Sequence, residues 1–408
     1  MKAIVIIGDG MSDHPVAALG GKTPLMVAVK PHIDAIARDG VTGLFATVPD
    51  GLPNGSDVAN LSVLGYDPRA CLQGRGVLEA ASMGVDLAPE DVAMRCNILT
   101  IDGEGKIKNH SAGHIPTEEA AEIVRDLDHE LGGGRGERPA RFHTGVSYRH
   151  LLVLPGGWAS PEFDCTPPHD FVGGREADLM PVPRNEGARA TVERILEIHQ
   201  RARAILADHP VNVRRRAAGK DPANSMWVWS PGRRPRMETY AQRFGITGAV
   251  ISAVDLIRGI GVYAGFERID VPGATGLSDT NYEGKAAAAL DALERHDFVY
   301  VHVEASDEAG HSRDLALKIK CIEMLDERLV RIVLGGIEAR GLDVAVAVLP
   351  DHPTPVETGA HANDPVPVAI LRKGDKADSV QGYDEEQVRA GSLGLLRGDA
   401  FIRRVLGV

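Results

Sequence analysis

The chain has 408 residues, with 43% hydrophobic and 25% charged residues and a formal net charge of −12. At roughly 150 residues per domain, this length predicts two to three domains with cores of ordinary size. The negative charge and the aromatic content of only 4% argue against proteins that bind nucleic acid or an anionic membrane, and we expect neither partner. Any cation that holds an anionic ligand must therefore be local.

The cysteines are dispersed and form no CxxC pair, so we expect small buried thiols and no disulfide framework. The first apolar run, within MKAIVIIGDGMSD, is too short for a signal-peptide core or a membrane span. We therefore expect a cytoplasmic protein. The four cysteines are Cys71, Cys96, Cys165 and Cys321.

The first predicted element is a strand over residues 2–7 (KAIVII), which leads into Gly8-Asp9-Gly10. The middle of the chain, from about 91 to 245, is richer in Arg, Gly and Pro. It contains predicted helices over 117–131, with Thr117 as the cap, and over 185–207. The basic run 211–220 is typical of an exposed loop or helix face. We predict an inserted domain over 91–245, within a domain formed by 1–90 and 246–408.

The last third of the chain alternates between helix-like and strand-like segments. Helices are predicted over 282–295 and 316–340, and strands over 298–303 (FVYVHV) and 343–349 (DVAVAVL). Uninterrupted apolar runs indicate parallel strands that helices cover on both faces. The alternation predicts an α/β fold with a mostly parallel sheet, which binds ligands beyond the carboxyl ends of its strands.

Carboxylates and imidazoles follow all three predicted strands. Any one of them alone is typical of a cap or a surface residue, but together they are oxygen and nitrogen ligands without a thiolate, which suits Mn²⁺ or Zn²⁺. Six ligands exceed what one catalytic ion with an open position needs, so we predict two ions. The six residues are Asp9, Asp307, His311, Asp351, His352 and His361.

Two bound ions are typical of phosphoryl transfer or hydrolysis, and Ser56 is the candidate nucleophile. It follows Asn54-Gly55 and precedes the helix-like segment VANLSVLG, so its hydroxyl is predicted at a helix N-terminus, which favours a phosphoryl group. The simpler interpretation is that Ser56 or Asp57 is only a helix N-cap. A metal ion would activate the hydroxyl without a neighbouring general base.

Several segments resemble the archaeal-type cofactor-independent phosphoglycerate mutases of the alkaline phosphatase superfamily. The resemblance covers nearly the whole chain and preserves the order of the motifs. The segments are GDGMSD (8–13), GSDVANLSVLGYDP (55–68), GRGVLEAASMGV (74–85), DEAGH (307–311) and PDHPTP (350–355).

The resemblance implies an alkaline phosphatase-like domain interrupted by a smaller α/β substrate-capping domain. It also implies two metal ions, most often Mn²⁺, with Zn²⁺, Co²⁺ or Mg²⁺ as alternatives, and no need for bisphosphoglycerate. Ser56 would become a phosphoserine while 3-phosphoglycerate, a small anionic substrate, is converted to 2-phosphoglycerate. One ion would be held by Asp9, Ser56, Asp351 and His352, and the other by Asp307, His311 and His361.

The substrate carboxylate and phosphate require further cations, and planar guanidinium groups suit both. For each arginine an ordinary surface position is an equally good interpretation, for each histidine a core or surface position, and for the lysine a helix face. The candidates are Arg149, Arg233, Arg234, Arg236, His110, His114 and Lys285.

Three other functions remain open at this point. The bacterial branch that the chain resembles has been proposed to include a homoserine kinase, although the chain has no GxxxxGK[ST] motif and no strand-linked GxGxxG motif. A phosphatase or phosphodiesterase would differ mainly in admitting water to the site. A non-enzymatic binding protein would have no reason to keep the serine and the ligands together.

Overall fold

The computed structural model describes residues 2–408, and the chain folds into two compact units. The first unit runs to Leu72 and resumes at Arg236, and the second comprises Gln73–Pro235. The boundaries expected from the sequence, between residues 90 and 91 and between residues 245 and 246, differ from these. Helix Arg75–Ser82 belongs to the inserted unit, because Gly76 lies so close to that unit's sheet that a Cβ there would be 2.5 Å from Met94 Cα.

Fifteen strands are present within residues 2–408. In chain order they are β1 Lys2–Gly8, β2 Val41–Phe45, β3 Val92–Ile101, β4 Ile107–Asn109, β5 Arg141–Val146, β6 Arg149–Leu154, β7 Phe163–Asp164, β8 Val182–Pro183, β9 Ser225–Arg233, β10 Gly248–Ile251, β11 Glu267–Arg268, β12 Phe298–Val303, β13 Val344–Leu349, β14 Val366–Leu371 and β15 Gly394–Leu396.

The same residues contain fifteen α-helices and several short helical turns. The helices are α1 Pro24–Val27, α2 Pro31–Asp39, α3 Ser56–Val63, α4 Pro68–Cys71, α5 Arg75–Ser82, α6 Thr117–Leu131, α7 Glu186–Ala207, α8 Pro210–Ala217, α9 Tyr240–Phe244, α10 Asp255–Tyr263, α11 Tyr282–Arg295, α12 Ala305–His311, α13 Leu315–Leu325, α14 Arg331–Ala339 and α15 Ala400–Leu406. None of them is both long enough and apolar enough to cross a membrane.

The first unit is built on an eight-stranded sheet in the order β11-β10-β12-β1-β13-β14-β2-β15. All neighbouring pairs are parallel except the two that involve β14. The central strands β1, β12 and β13 are almost completely buried, as expected for apolar runs that are covered on both faces. This sheet and its helices confirm the predicted α/β class.

The inserted unit has an antiparallel sheet of five strands, in which β3 pairs with β4, β6 and β9, and β6 pairs with β5. Helices α6, α7 and α8 bury apolar residues against it. The basic run 211–220 is largely α8, and its Arg215 is buried, where it donates to Asp221 O and pairs with Glu119. Arg215 is therefore part of the structure of the unit, unlike the exposed face that we expected.

Two further predictions need correction. The N-cap of α6 is Pro116, and Thr117 is the first helical residue without a capping hydrogen bond. The helix predicted over 316–340 is divided, because a π-helical turn, Asp326–Val330, separates α13 from α14. The backbone stays helical on both sides of that turn, so the apolar periodicity of the sequence did not reveal it.

Candidate metal centre

Three neighbouring strands of the large sheet end at one edge. β1 lies between β12 and β13 and runs parallel to both. Asp9 follows β1, Asp351 follows β13, and α12 begins two residues after β12 and carries Asp307 and His311. The carboxyl ends of parallel strands meet at the same edge, so these side chains converge.

Asp9, Asp351 and His352 form the first group of donors, which we call the Asp9 set. Their donor atoms lie within 4.8 Å of one another, and all three residues are buried. His352 Nε2 is 3.6 Å from Asp9 Oδ1 and 3.5 Å from Asp351 Oδ2. Two carboxylates and one imidazole at these distances can hold a divalent cation.

Asp307, His311 and His361 form the second group, the Asp307 set, with donor atoms also within 4.8 Å of one another. Asp307 Oδ2 is 3.1 Å from His311 Nε2, and Asp307 Oδ1 is 3.4 Å from His361 Nε2. The two Nε2 atoms are 2.9 Å apart. His361 reaches this position from the loop that follows β13.

The backbone determines which nitrogen of each of these imidazoles faces the set. His311 Nδ1 is 2.9 Å from Gly359 O, and His361 Nδ1 is 3.0 Å from Asn54 O. A carbonyl oxygen only accepts hydrogen bonds, so each Nδ1 carries a proton and donates it. In the neutral imidazoles the Nε2 lone pairs then point to one place, which is the arrangement that a metal ion requires.

The two donor sets are adjacent, and the candidate nucleophile lies beside them. The rings of His352 and His361 stack with their centroids 3.9 Å apart. Ser56 is the first residue of α3, and its Oγ is 3.1 Å from His352 Nε2. The N-cap of this helix is Gly55, so Ser56 does not serve as the cap of α3 and its hydroxyl is turned to the donor groups.

Asp9 shows most directly that the donors fit a cation. Its Oδ1 atom is buried and has no hydrogen-bond partner among residues 2–408. Burial, together with the nearby carboxylates of Asp351 and Asp307, holds the pKa of Asp9 well above its usual range. A buried carboxylate oxygen without a partner is costly, and a bound cation would remove that cost.

The Asp307 set has the opposite electrostatics. Burial alone would raise the pKa of Asp307, but hydrogen bonds from His311 and His361 hold it well below the usual range. The hydrogen bond to Asp307 in turn raises the pKa of His311 to about 9. Protons on these histidines balance the negative charge of the Asp307 carboxylate. A bound metal ion would otherwise supply that positive charge.

Some of the residues that orient the donors did not appear in the sequence analysis. His302 Nε2 is 2.8 Å from Asp9 Oδ2, within the buried strand β12. Asn60 Nδ2 donates to Asp351 Oδ2 at 2.9 Å, and the hydroxyl of Tyr300 donates to Asn60 Oδ1 at 2.5 Å. A histidine inside the apolar run FVYVHV is the one feature that the sequence offered for finding them.

A buried lysine ties together two of the loops that carry donors. Lys318 Nζ donates to Asp13 Oδ2 at 2.7 Å, to Ser12 O at 3.0 Å and to Thr354 O at 2.8 Å. The hydroxyl of Thr354 donates in turn to Asp307 Oδ1. Lys318 is fully buried on α13, and nothing in the sequence of this helix distinguished it from the second lysine, Lys320.

Gly10 lies where the loop after β1 closely approaches Asp307 and Thr354. Its φ is +60°, and a Cβ there would be 2.5 Å from Asp307 Oδ1 and 2.6 Å from Thr354 Oγ1. Only glycine satisfies both the left-handed backbone and the close approach. The second glycine of the GDG sequence is therefore required sterically at the centre of the site.

A third group of possible donors has a structural explanation. His32, Asp326 and Glu327 also have donor atoms within 4.8 Å of one another. Asp326 Oδ1, however, accepts the backbone N–H groups of His32 and Ile33 in the first turn of α2, and its Oδ2 lies 2.7 Å from His32 Nδ1. Asp326 is therefore occupied as a helix-terminus acceptor.

Known proteins resemble this chain over its whole length. The family model described as 2,3-bisphosphoglycerate-independent phosphoglycerate mutase matches residues 37–212. The enzyme of that name from Methanosarcina acetivorans is 49% identical over 410 residues, covering 100% of both chains. The chain belongs to this mutase family. A probable mutase from Geobacter sulfurreducens is 50% identical over 98% of both chains.

Solved structures also share the fold of the mutase family. A Pyrococcus horikoshii protein, 29% identical, superposes with a TM-score of 0.80 and covers 100% of this chain and 96% of its own. The cofactor-independent phosphoglycerate mutase from Thermoplasma acidophilum is 27% identical, has a TM-score of 0.70 and covers 100% and 99%.

Two of the predicted substrate-binding residues lie in the first unit. Lys285 is fully buried on α11, where its Nζ donates to His302 O at 3.0 Å, and burial lowers its pKa to about 8. It therefore contacts the backbone of the strand that orients Asp9. Arg236 is exposed, one residue after the inserted unit ends.

The other predicted substrate-binding residues lie in the inserted unit and are not gathered into one cluster. Arg149 and His114 are exposed, and Arg234 pairs with Asp86 at 3.4 Å. Arg233 pairs with Glu90 at 2.9 Å and donates to Ala159 O. Ion pairs therefore already engage two of these arginines.

His110 is the best placed of the histidine candidates. Its ring packs edge-on against Tyr148 and lies 6.2 Å from the ring of His169, which in turn packs on Trp229. His169 and Trp229 line a cavity of about 630 Å³ within the inserted unit. Burial lowers the pKa of His110. Neither this cavity nor the role of His169 was predicted from the sequence.

Proposed function

We propose that the protein interconverts 3-phosphoglycerate and 2-phosphoglycerate by transferring the phosphoryl group to and from Ser56. The observation that carries this proposal is the position of the Ser56 hydroxyl, 3.1 Å from His352 Nε2 and at the start of α3. Backbone N–H groups at a helix N-terminus favour a phosphoryl group. Membership of the mutase family supports the substrate.

We further propose that the Asp9 set, with Ser56, holds one divalent ion and that the Asp307 set holds another. The unpaired Asp9 Oδ1 and the converging imidazole nitrogens support both sites. The oxygen and nitrogen donors suit Mn²⁺ best, and Zn²⁺, Co²⁺ and Mg²⁺ are alternatives. When bound, the ions would neutralise phosphoryl charge and lower the pKa of the serine hydroxyl.

The reaction then has two half-reactions at Ser56 Oγ. In the first, the bond between phosphorus and the 3-oxygen of the substrate breaks, a bond to Ser56 Oγ forms, and the serine proton ends on the 3-hydroxyl of glycerate. In the second, the phosphoryl group moves from Ser56 Oγ to the 2-oxygen, and the 2-hydroxyl proton returns to the serine. No bisphosphoglycerate is required, because the protein itself carries the group between the two positions.

The surrounding residues hold the reacting groups in place. Asn60 and His302 hold the carboxylates of Asp351 and Asp9 through hydrogen bonds of 2.9 and 2.8 Å. Both supporting residues are fully buried, so they are fixed in position before substrate arrives. Such orientation is worth several kcal/mol of barrier when it places reacting groups correctly.

Substrate recognition and the exclusion of water are assigned to the inserted unit and to cations near it. His110, beside the cavity of the inserted unit, is the favoured candidate, followed by Arg149 and Arg236, which are exposed. Arg233, His114 and Lys285 remain candidates. We also propose that residues 73–235 serve as the substrate-capping domain, in place of the expected 91–245. Poor exclusion of water would convert phosphoserine into free phosphate.

The test compares the possible reactions in the same protein. Protein loaded with Mn²⁺ is incubated separately with 3-phosphoglycerate and with homoserine plus ATP, and phosphorus NMR identifies the products. We expect 2-phosphoglycerate in the first incubation and no phosphohomoserine in the second. Phosphohomoserine would overturn the proposal in favour of a kinase, and free phosphate alone would overturn it in favour of a phosphatase.

The place of action is a further part of the proposal. We infer that the protein binds a small anionic phosphorylated substrate and neither nucleic acid nor membrane, and that it acts in a reducing compartment, the cytoplasm. The four free cysteines support this inference, because none of them forms a disulfide. Fractionation of the native host, with detection of the protein in the soluble cytoplasmic extract or elsewhere, is the measurement that decides it.

A further inference from the structure

A second cavity in the first unit lies outside the metal centre. It has a volume of about 650 Å³ and is lined by the residues that follow β2 and β15, by the end of α3 and by three arginines. Both strands end at the same edge of a sheet, because β15 runs parallel to β2. In α/β proteins that edge is where ligands bind. We call it the arginine pocket, after Arg69, Arg243 and Arg397.

Arg243 is held in a position that leaves hydrogen-bonding capacity unused. Its guanidinium carbon lies 4.7 Å from the ring centroid of Tyr66 and 4.8 Å from that of Phe244. Its Nη1 is buried and, within the described residues 2–408, has no hydrogen-bond partner. Its Nη2 is 3.9 Å from Asp399 Oδ2, too far for a hydrogen bond. Arg243 therefore lines the arginine pocket without a close carboxylate that would compete with an anion.

Three carboxylates, Asp50, Asp67 and Asp399, line the arginine pocket beside its arginines, and two of them are engaged by partners of their own. Asp399 is engaged by Arg403, whose Nε donates to Asp399 Oδ2 at 2.7 Å. Asp67 accepts the backbone N–H of Arg69 as the N-cap of α4. Arg397 is exposed, and no hydrogen bond or ion pair of its side chain occurs in the part of the chain that the structure describes.

The arginine pocket is distinct from the metal centre, although one helix serves both. Ser62, near the end of α3, lines the pocket, whereas Ser56 begins the helix beside the donor sets. Six residues of α-helix separate the two by about 9 Å. A ligand in the pocket therefore does not occupy the place of the transferred phosphoryl group.

We propose that the arginine pocket binds a phosphate group, either as inorganic phosphate or as part of a phosphate monoester. A phosphoryl dianion offers three terminal oxygens to the guanidinium groups, one more than a carboxylate offers. The volume suits a small organic phosphate as well as the free ion. This proposal does not rest on the mutase activity.

Calorimetric titration of the Mn²⁺-loaded protein tests this proposal with three probes: inorganic phosphate, phenylphosphonate and acetate. Phenylphosphonate has a phosphoryl group on a ring but no bond that phosphoryl transfer breaks. With the two phosphorus probes we expect a binding event in addition to the one at the metal centre. With acetate we expect no such additional event. Binding of inorganic phosphate alone assigns the free ion, and binding of both phosphorus compounds assigns a monoester.

Three variants locate the additional event. Arg397→Gln and Arg243→Met are expected to weaken it at least about tenfold, the loss of one charge-assisted hydrogen bond, and to leave the event at the metal centre unchanged. Arg340→Gln is the matched control, since Arg340 pairs with Asp291 and Glu294 on another helix. Arg397 is exposed, so its variant keeps the test valid if Arg243→Met does not fold.

Two results would overturn the proposal. The first is that all four proteins bind the phosphorus probes with the same stoichiometry and affinity, because the arginine pocket then contributes nothing. The second is that acetate binds as well as phosphate, because the pocket then recognises any anion. Neither result bears on whether the protein forms 2-phosphoglycerate, so failure here is separate from failure of the mutase proposal.

Discussion

Ser56 and His352 illustrate how single residues decide the chemistry at this site. Folding brings the two residues together from distant parts of the sequence, Ser56 from the start of α3 and His352 from the end of β13. Among the described residues 2–408, the imidazole of His352, at 3.1 Å, is the hydrogen-bond partner of the serine hydroxyl. A metal ion held by the Asp9 set would further activate this hydroxyl as a nucleophile.

Ser56→Ala is expected to lower kcat by on the order of 10³-fold or more, because no other hydroxyl takes the position of the nucleophile. Its fold should be unchanged, since the side chain caps no helix, and its metal content should be nearly intact, since Asp9, Asp351 and His352 still supply three donors. Steady-state assays with 3-phosphoglycerate measure the effect. Ser379→Ala, the same change at an exposed serine of the same unit, is the control and should stay active. Retention of most activity by Ser56→Ala would refute the assignment of the nucleophile.

Metal affinity should increase with pH at the Asp307 set. Without metal, the hydrogen bond to Asp307 raises the pKa of His311 to about 9, so this imidazole is charged at neutral pH. A metal ion needs the neutral form and must displace the proton. The apparent affinity for Mn²⁺ should therefore rise from about pH 6.5 towards pH 9, by up to about tenfold per pH unit. Titration calorimetry at several pH values measures it, and a constant or falling affinity would contradict this electrostatic account.

At the scale of the elements, the loops at the sheet edge are joined by side chains of helices behind them. Lys318 on α13 bonds to the loops after β1 and β13, and Thr354 transmits the contact to Asp307. The donors are thus attached to packed elements as well as to their own loops. Residues that orient ligands in this way usually affect metal affinity as much as stability.

Lys318→Met should lower the free energy of unfolding by about 3–5 kcal/mol, because it leaves the buried carboxylate of Asp13 without its partner. Urea unfolding measures the loss. Addition of Asp13→Asn to the same protein should restore part of it by removing the unpaired charge. Lys320→Met is the control, since Lys320 is exposed on the same helix and should have little effect. Equal effects of the two lysine substitutions would show that Lys318 has no special role.

The sequence predicted the elements best where one physical cause dominates. Strand β12 occupies the predicted residues 298–303, because an uninterrupted apolar run suits a strand buried on both faces. The prediction failed where tertiary contacts decide: α5 joins the inserted unit through the close approach of Gly76, and a π-helical turn divides the helix over 316–340.

At the candidate site, too, the prediction succeeded where a local pattern decides and failed where tertiary contacts decide. Residues that follow strands were found from spacing, because parallel strands end at one edge. His302, Asn60 and Lys318 were missed, because each lies inside a strand or helix and acts through a contact that is distant in sequence. Nothing in a local pattern distinguishes such a residue from an ordinary buried polar side chain.

For the whole molecule, the site consists of two donor sets in the unit that is formed by both ends of the chain. Asp9 comes from the start of the chain, whereas the other carboxylates and all the imidazoles of the two sets come from its last third. The residues between them include the whole inserted unit. Metal binding should therefore stabilise the folded state, because the donors are far apart in the unfolded chain.

Each chain should bind two divalent ions. Elemental analysis after Mn²⁺ loading and removal of free metal is expected to give two ions per chain, and Asp307→Asn should give about one. Excess EDTA should stop the reaction and lower Tm, and Mn²⁺ or Co²⁺ should restore both. Full activity in EDTA, with removal of metal shown by the same analysis, would contradict the two-ion site.

The central claim is that the phosphoryl group passes through Ser56. Rapid acid quenching of the Mn²⁺-loaded protein during turnover of 3-phosphoglycerate labelled with radioactive phosphorus tests it most directly. The account predicts label on the peptide that contains Ser56, its absence in Ser56→Ala, and its passage into 2-phosphoglycerate when unlabelled substrate follows. Formation of 2-phosphoglycerate without labelled protein at any time, or release of the label only as inorganic phosphate, would contradict it.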